Sequence, residues 1–107
     1  MAPSWTPVRL ADIAQVIRSK NAGPRTTTLD IIFARQEDYE RVRSGGAISP
    51  EAIGALYATP AGEVHVIDYP DCLAIKITLP RKVTAGDPGD RDVYGAQQHA
   101  RLFEVLV

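Results

Sequence analysis

Two stretches of this chain concentrate residue types that bind and react. The first is Arg18-Ser19-Lys20-Asn21-Ala22-Gly23-Pro24, and the second runs from Thr84 to His99 and reads TAGDPGDRDVYGAQQH. Both are dense in glycine, charge and side-chain amides, and both interrupt apolar segments. Binding groups concentrate on polar segments carried by a rigid scaffold, so these two stretches locate a candidate site. In the first, Arg18 and Lys20 are two positions apart; in an extended chain both cations point to one side. Asn21, Ala22 and Gly23 can add backbone N–H groups in a turn that cradles an anion, which suits a carboxylate or a phosphate. A plain surface turn with solvated charges is the alternative.

The second stretch offers Asp90, Tyr94, Gln97, Gln98 and His99. Tyr94, Gln97 and Gln98 share one face of a helix by their i, i+3, i+4 spacing. His99 has the chemistry of a general base, although no nucleophile lies near it in sequence. Asp87, Asp90 and Asp92 look like part of a calcium loop. The Pro88-Gly89 insertion and the lack of a Glu at the twelfth position argue instead for a turn and a helix cap, so no metal is expected. Asp30, inside an otherwise apolar run, reads either as a solvated position or as a partner for Arg18 or Lys20. His65 falls in a strand and reads as structural.

The elements that must position these residues can be read from periodicity and punctuation. Residues 1–7, with Pro3 and Pro7, look like an irregular arm. Leu10, Ile13, Val16 and Ile17 have helix-like spacing, with a strand from Ile13 to Ser19 as the alternative. Thr26 to Ala34 is rich in β-branched residues and predicts a strand. Gln36 to Ser44 predicts a short charged helix that stops at Gly45-Gly46. Ser49-Pro50-Glu51 opens a second helix, with serine as the cap, proline at the first position and an acid in the first turn. Val64–Tyr69 and Leu73–Leu79 predict a hairpin through a turn at Pro70-Asp71. In its second strand Leu73, Ile75, Ile77 and Leu79 alternate with Ala74, Lys76 and Thr78, which gives one core face and one polar face. A loop over 80–91, a helix from Asp92 to about Arg101 and a final strand over 102–107 complete the pattern. Merging the two short helices gives β-α-β-β-α-β. The expectation is an α+β domain spanning 1–107, with a ferredoxin-like antiparallel sheet, helices on one face and an extra N-terminal element.

Composition narrows the function classes. Twelve basic and 13 acidic residues give a formal net charge of −1, without the basic surplus that a general nucleic-acid binder uses to displace counterions. No apolar run approaches the roughly 20 residues that span a bilayer, and Met1-Ala2-Pro3-Ser4-Trp5 has no signal-peptide character. Cys72 is the one cysteine, so neither an intrachain disulfide nor a cysteine-rich zinc site is possible. A cytoplasmic protein without a cofactor of its own, contacting neither nucleic acid nor membrane, is the expectation.

The strings RSKNAGP, TLDIIF at 28–33, DYERV at 38–42, ALYATP at 55–60, AIKITLPR at 74–81 and GDPGDRDVYGAQQHA at 86–100 together carry a resemblance. Over nearly the whole chain from about residue 8, they resemble the family known as domain of unknown function 4387. Members are small proteins encoded beside large proteins of the acyclic terpene utilisation (AtuA) type, which implies a two-subunit assembly. The chain is also similar, element by element, to a C-terminal ferredoxin-like domain of some AtuA-type proteins. There Ile17–Gly23 stands in place of an ARSGDKG-type loop and Ile48–Glu51 at the start of an LT-containing helix. Asn21 replaces the acid of that loop, so no role of that acid carries over.

The resemblance implies a small accessory subunit that completes an anion pocket, for a carboxylate or an acyl-CoA, in an enzyme of lyase or hydratase type. Arg18, Ser19, Lys20, Asn21 and Gly23 would meet the 86–98 segment there. A free-standing small-anion-binding module and a purely structural interaction domain are the other two readings; fold alone does not choose among them.

Overall fold

The computed structural model describes residues 7–23, 25–80 and 102–107. Residues 1–6, Pro24 and 81–101 lie outside the described residues, and with them fall most of the expected arm, nearly all of the loop expected over 80–91, the helix expected from Asp92 to about Arg101, and Asp90, Tyr94, Gln97, Gln98 and His99. In chain order the elements are α1 (Leu10–Ile13), β1 (Val16–Asn21), β2 (Thr26–Ile32), α2 (Gln36–Gly45), α3 (Pro50–Leu56), β3 (His65–Tyr69) and β4 (Ala74–Pro80).

The four strands form one antiparallel sheet in the order β1-β2-β4-β3. Strands β2 and β3, which flank the two helices in sequence, are both antiparallel to β4 and hence parallel to each other, with β4 inserted between them. That is the split β-α-β unit of a ferredoxin-like fold. The α+β class and the antiparallel sheet stand as expected, but the ordering departs from the ferredoxin-like one in one place. The edge beside β2, where the last strand of that arrangement would lie, is occupied by β1.

Residues 102–107, read from sequence as a strand, form none of the sheet. They make a short turn and a single antiparallel bridge, Leu106 to Arg9. Their backbone is satisfied by the N-terminal segment: the Leu10 N–H donates to the Val105 carbonyl at 2.7 Å and the Val107 N–H to the Val8 carbonyl at 2.9 Å. Leu102 is fully buried with Leu10, while Val105 and Val107 pack against the core. The apolar residues of this tail are therefore absorbed at the end of the domain rather than in the sheet.

Local chemistry explains the elements. Ser49 caps α3, its Oγ accepting from the Ala52 N–H at 3.1 Å, and Pro50 follows at the first helical position. Helix α2 ends on Gly46, whose φ of 78° is the left-handed conformation that glycine supplies without steric cost. Leu29, Ile31, Ile75, Ile77 and Leu79 form the buried side of β2 and β4 and join Tyr39 and Val42 of α2 and Ile53 of α3 in one core. Tyr39 packs edge-on against Phe33 at 6.3 Å. Its buried hydroxyl has no hydrogen-bond partner, and burial first, then the charge of Asp68, pushes the phenol pKa up.

Candidate functional site

The Arg18–Gly23 stretch is the outer strand of the sheet and the start of its first hairpin, not a free loop. Strand β1 pairs with β2 over six residues, from Val16 opposite Ile32 to Asn21 opposite Thr27. The hairpin is closed by the Ala22 N–H donating to the Thr26 carbonyl at 2.8 Å. Gly23 has a φ of 115°, a conformation that a side chain would strain, which explains glycine at that point.

Because β1 is extended, its side chains alternate. Arg18 and Lys20 share one face, as the residue types lead one to expect, and both are exposed. Ser19, which is buried, and Asn21 point to the helix-covered face, and neither is without a partner. The structure thus brings Arg18 and Lys20 together and sends the side chains of Ser19 and Asn21 to the other side of the strand. Gly23 stands at the hairpin tip, near the exposed Arg25.

The register builds this second face row by row. Lys20 lies beside Thr28, Thr28 beside Thr78 and Thr78 beside His65; Arg18 lies beside Asp30, Asp30 beside Lys76 and Lys76 beside Ile67. Val16, Ile32, Ala74 and Tyr69 form a third, apolar row. Asp30 is thereby explained. Its side chain is sheltered, at 17% exposed, and its Oδ2 accepts from Arg18 Nε at 3.2 Å. Among the described residues of this face, Arg18, Lys20 and Lys76 stand against a single carboxylate, Asp30, and no ion pair to Lys20 or Lys76 occurs. With strands about 4.8 Å apart, Arg18 and Lys76 are separated by about 10 Å across Asp30. Such a face can take an anion or an acidic surface.

At the hairpin end, an open hollow of about 320 Å³ is lined by Thr26, Gly62, Glu63, His65, Thr78, Leu79 and Pro80. Thr26 and Pro80 are register partners, so the chain leaves β4 beside the start of β2. His65, expected to be structural, is exposed and lines this hollow. Lys76, Arg25 and His65 are the residues that sequence reasoning passed over. The polar face of the Leu73–Leu79 alternation already carried Lys76, but its place beside Asp30 requires the strand pairing. Cys72 is exposed in the short 3₁₀ turn Pro70–Cys72. Among the described residues, no three His, Cys, Asp or Glu side chains are grouped to hold a metal ion, and no helix is long and apolar enough to cross a membrane.

A small α+β domain with an antiparallel sheet and a cationic face opposite its helices is the class that fold and site define. Residues 10–106 match the family described as Domain of unknown function (DUF4387), and the chain belongs to that family. No curated protein and no solved structure matches it.

Proposed function

We propose that this chain is the small accessory subunit of a two-component metabolic enzyme whose large subunit is of the AtuA type, and that it completes a pocket for an anionic substrate. The observation that carries the reading is the placement of Arg18 and Lys20, side by side on one face of the outermost strand. A second protein laid against that edge reaches both cations without disturbing the core. The Arg18 guanidinium is steadied through Nε by Asp30, which leaves its terminal nitrogens for a carboxylate or a phosphoryl oxygen, where they supply charge and orientation together. The large subunit supplies the reacting groups, and a lyase or hydratase acting on a carboxylate or acyl-CoA suits such a clamp. The 86–98 segment belongs to the same proposed pocket.

Co-expression with an AtuA-type large protein tests the assembly: the two should elute together on size exclusion at micromolar concentration, and separate elution overturns the obligate complex. In the complex, Arg18→Ala should lower substrate affinity or activity about ten- to hundredfold. Charge-assisted contacts contribute about 1.5–3 kcal/mol, and each 1.4 kcal/mol is about a factor of ten. The thermal midpoint should barely move, since the Arg18 side chain is 61% exposed. A free-standing anion-binding module is the second reading, supported by the hollow at Thr26, His65 and Thr78. Tight binding of a small anion by the isolated chain favours it.

A further inference from the structure

The two edges of the sheet are chemically unlike. Strand β1 carries Arg18 and Lys20, charges that keep a second copy from pairing along it, which is how natural sheets protect an edge. Strand β3, at the other edge, has no lysine, arginine or proline among its five residues, His65-Val66-Ile67-Asp68-Tyr69. On the face opposite the helices it exposes His65, Ile67 at 44% and Tyr69 at 43%. Among the described residues no strand pairs with the outer side of β3, and large apolar side chains on such an edge are what strand addition uses.

We infer that β3 pairs with β3 of a second copy of this chain, antiparallel about a two-fold axis through Ile67, joining two four-stranded sheets into one of eight strands. Self-complementarity identifies the occupant. The exposed side of β3 reads ring, aliphatic, ring about Ile67, so the two-fold sets Ile67 against Ile67 of the copy and each His65 against a Tyr69. Both are favourable cross-strand pairs. Pro70, which has no N–H to donate, follows directly and ends the ladder. Centring on Ile67 is the register that uses all five residues, and a slip by one or two pairs fewer of them and separates the rings. On the other face Val66 meets Asp68, whose carboxylate is exposed at the rim and keeps its water. A partner strand of different sequence gains nothing from this symmetry, whereas an identical one does. The inference does not depend on the AtuA-type partner, because the cationic edge lies at the opposite side of the sheet.

The test is the mass of the purified chain in solution by light scattering or sedimentation across a hundredfold range of concentration. A dimer that builds up with concentration is expected. Ile67→Lys, which sets two like charges directly opposite, should raise its dissociation constant at least about tenfold. Val16→Lys, on the same face at the far edge, should leave it unchanged. A cross-link keeps the test independent of the lysine variant's folding: in a Cys72→Ser background, Ile67→Cys should close a symmetric disulfide under mild oxidation. Directly opposed Cα atoms are about 4.5–5.5 Å apart, inside the range a disulfide spans. Val16→Cys should not cross-link. A chain that keeps the mass of one copy throughout, a dimer indifferent to Ile67→Lys, or cross-linking equal at positions 16 and 67 overturns the inference. So does a single-copy chain that uses Ile67 to bind the AtuA-type protein instead.

Discussion

Replacing Asp30 with Asn should move stability and anion affinity in opposite directions. Asp30 lies between Arg18 and Lys76 in adjacent strands, with its oxygen 3.2 Å from Arg18 Nε. The Arg18 side chain is 61% exposed and the Asp30 side chain 17%, so the pair is a surface ion pair with one sheltered member. Such pairs contribute about 0–1 kcal/mol, and Asn keeps an oxygen that can still accept from Nε. The loss should be at most about 1 kcal/mol, a fall of at most about 4–8 °C in midpoint for a domain of this size. Affinity depends on a different distance. An anion held between Arg18 and Lys20 lies about 7 Å from the Asp30 carboxylate, judged from strand geometry. Coulomb repulsion there is about 0.6 kcal/mol in bulk water and about 2.4 kcal/mol at an effective dielectric of 20. Arg18 and Lys20 are themselves exposed, so the lower end governs, and removing the charge should strengthen binding about threefold. Titration calorimetry with inorganic pyrophosphate at low and high salt measures the affinity, and urea denaturation the stability. The gain should shrink as salt rises. Unchanged or weaker pyrophosphate binding in a folded Asp30→Asn protein refutes an anion site on this face. A stability loss beyond about 3 kcal/mol refutes the surface-pair reasoning, because that is the size expected of a broken buried pair.

Glycine-to-alanine substitution should change sign between two helical positions. At Gly54 an added Cβ would stand 2.5 Å from the Thr59 carbonyl oxygen, whose own residue is tied back to Gly54 by a 2.8 Å N–H to carbonyl bond. Overpacking of about 1–3 kcal/mol should therefore outweigh the propensity gain of about 1 kcal/mol, whereas Gly45→Ala, with nothing within 4 Å, should stabilise. Denaturant midpoints at constant slope read both, and a stabilising Gly54→Ala would contradict the close approach of α3 to the Thr59–Ala61 turn. Ile77, fully buried at the centre of β4, should cost about 2–4 kcal/mol when cut to alanine; a cost below about 1 kcal/mol in the same denaturation experiment would argue against the helix-covered face being the core.

How much of this was legible in the sequence depends on whether a segment's signal was local. The β4 alternation, the Ser49-Pro50 start of α3 and the Gly45-Gly46 stop of α2 are written in neighbouring residues, and the structure keeps all three. The 10–17 segment defeated a single reading because it is two elements. Leu10 belongs to a four-residue helix and Ile17 to β1, yet their spacing fits one longer helix. The 102–107 run is apolar and rich in valine, the composition of a strand. What decides its fate is non-local: the backbone of residues 8–11 offers partners to Phe103, Val105 and Val107 at the end of the domain. The cation pair at Arg18 and Lys20 was legible as residue types, and Asp30 as an anomaly that wanted a partner. Lys76 needed the β2–β4 register, which no short window contains.

Placement of β1 in the sheet, where a final strand was expected, bears directly on what the cations can do. Residues on a mobile loop must be ordered when ligand arrives, at about 1–2 kcal/mol each for the backbone. For Arg18 through Lys20 that would cancel about one or two charge-assisted contacts of 1.5–3 kcal/mol. Here the cost is met on folding, because every one of these residues is held opposite a residue of β2. The rigidity also restricts the site. A strand cannot turn Ser19 toward the face of its neighbours without slipping the whole ladder and exposing Ile17, which packs on the core. Among the described residues, the cationic side chains able to share a ligand with Arg18 are therefore Lys20 on its own strand and Lys76 two strands away, with Asp30 between them holding the guanidinium in place.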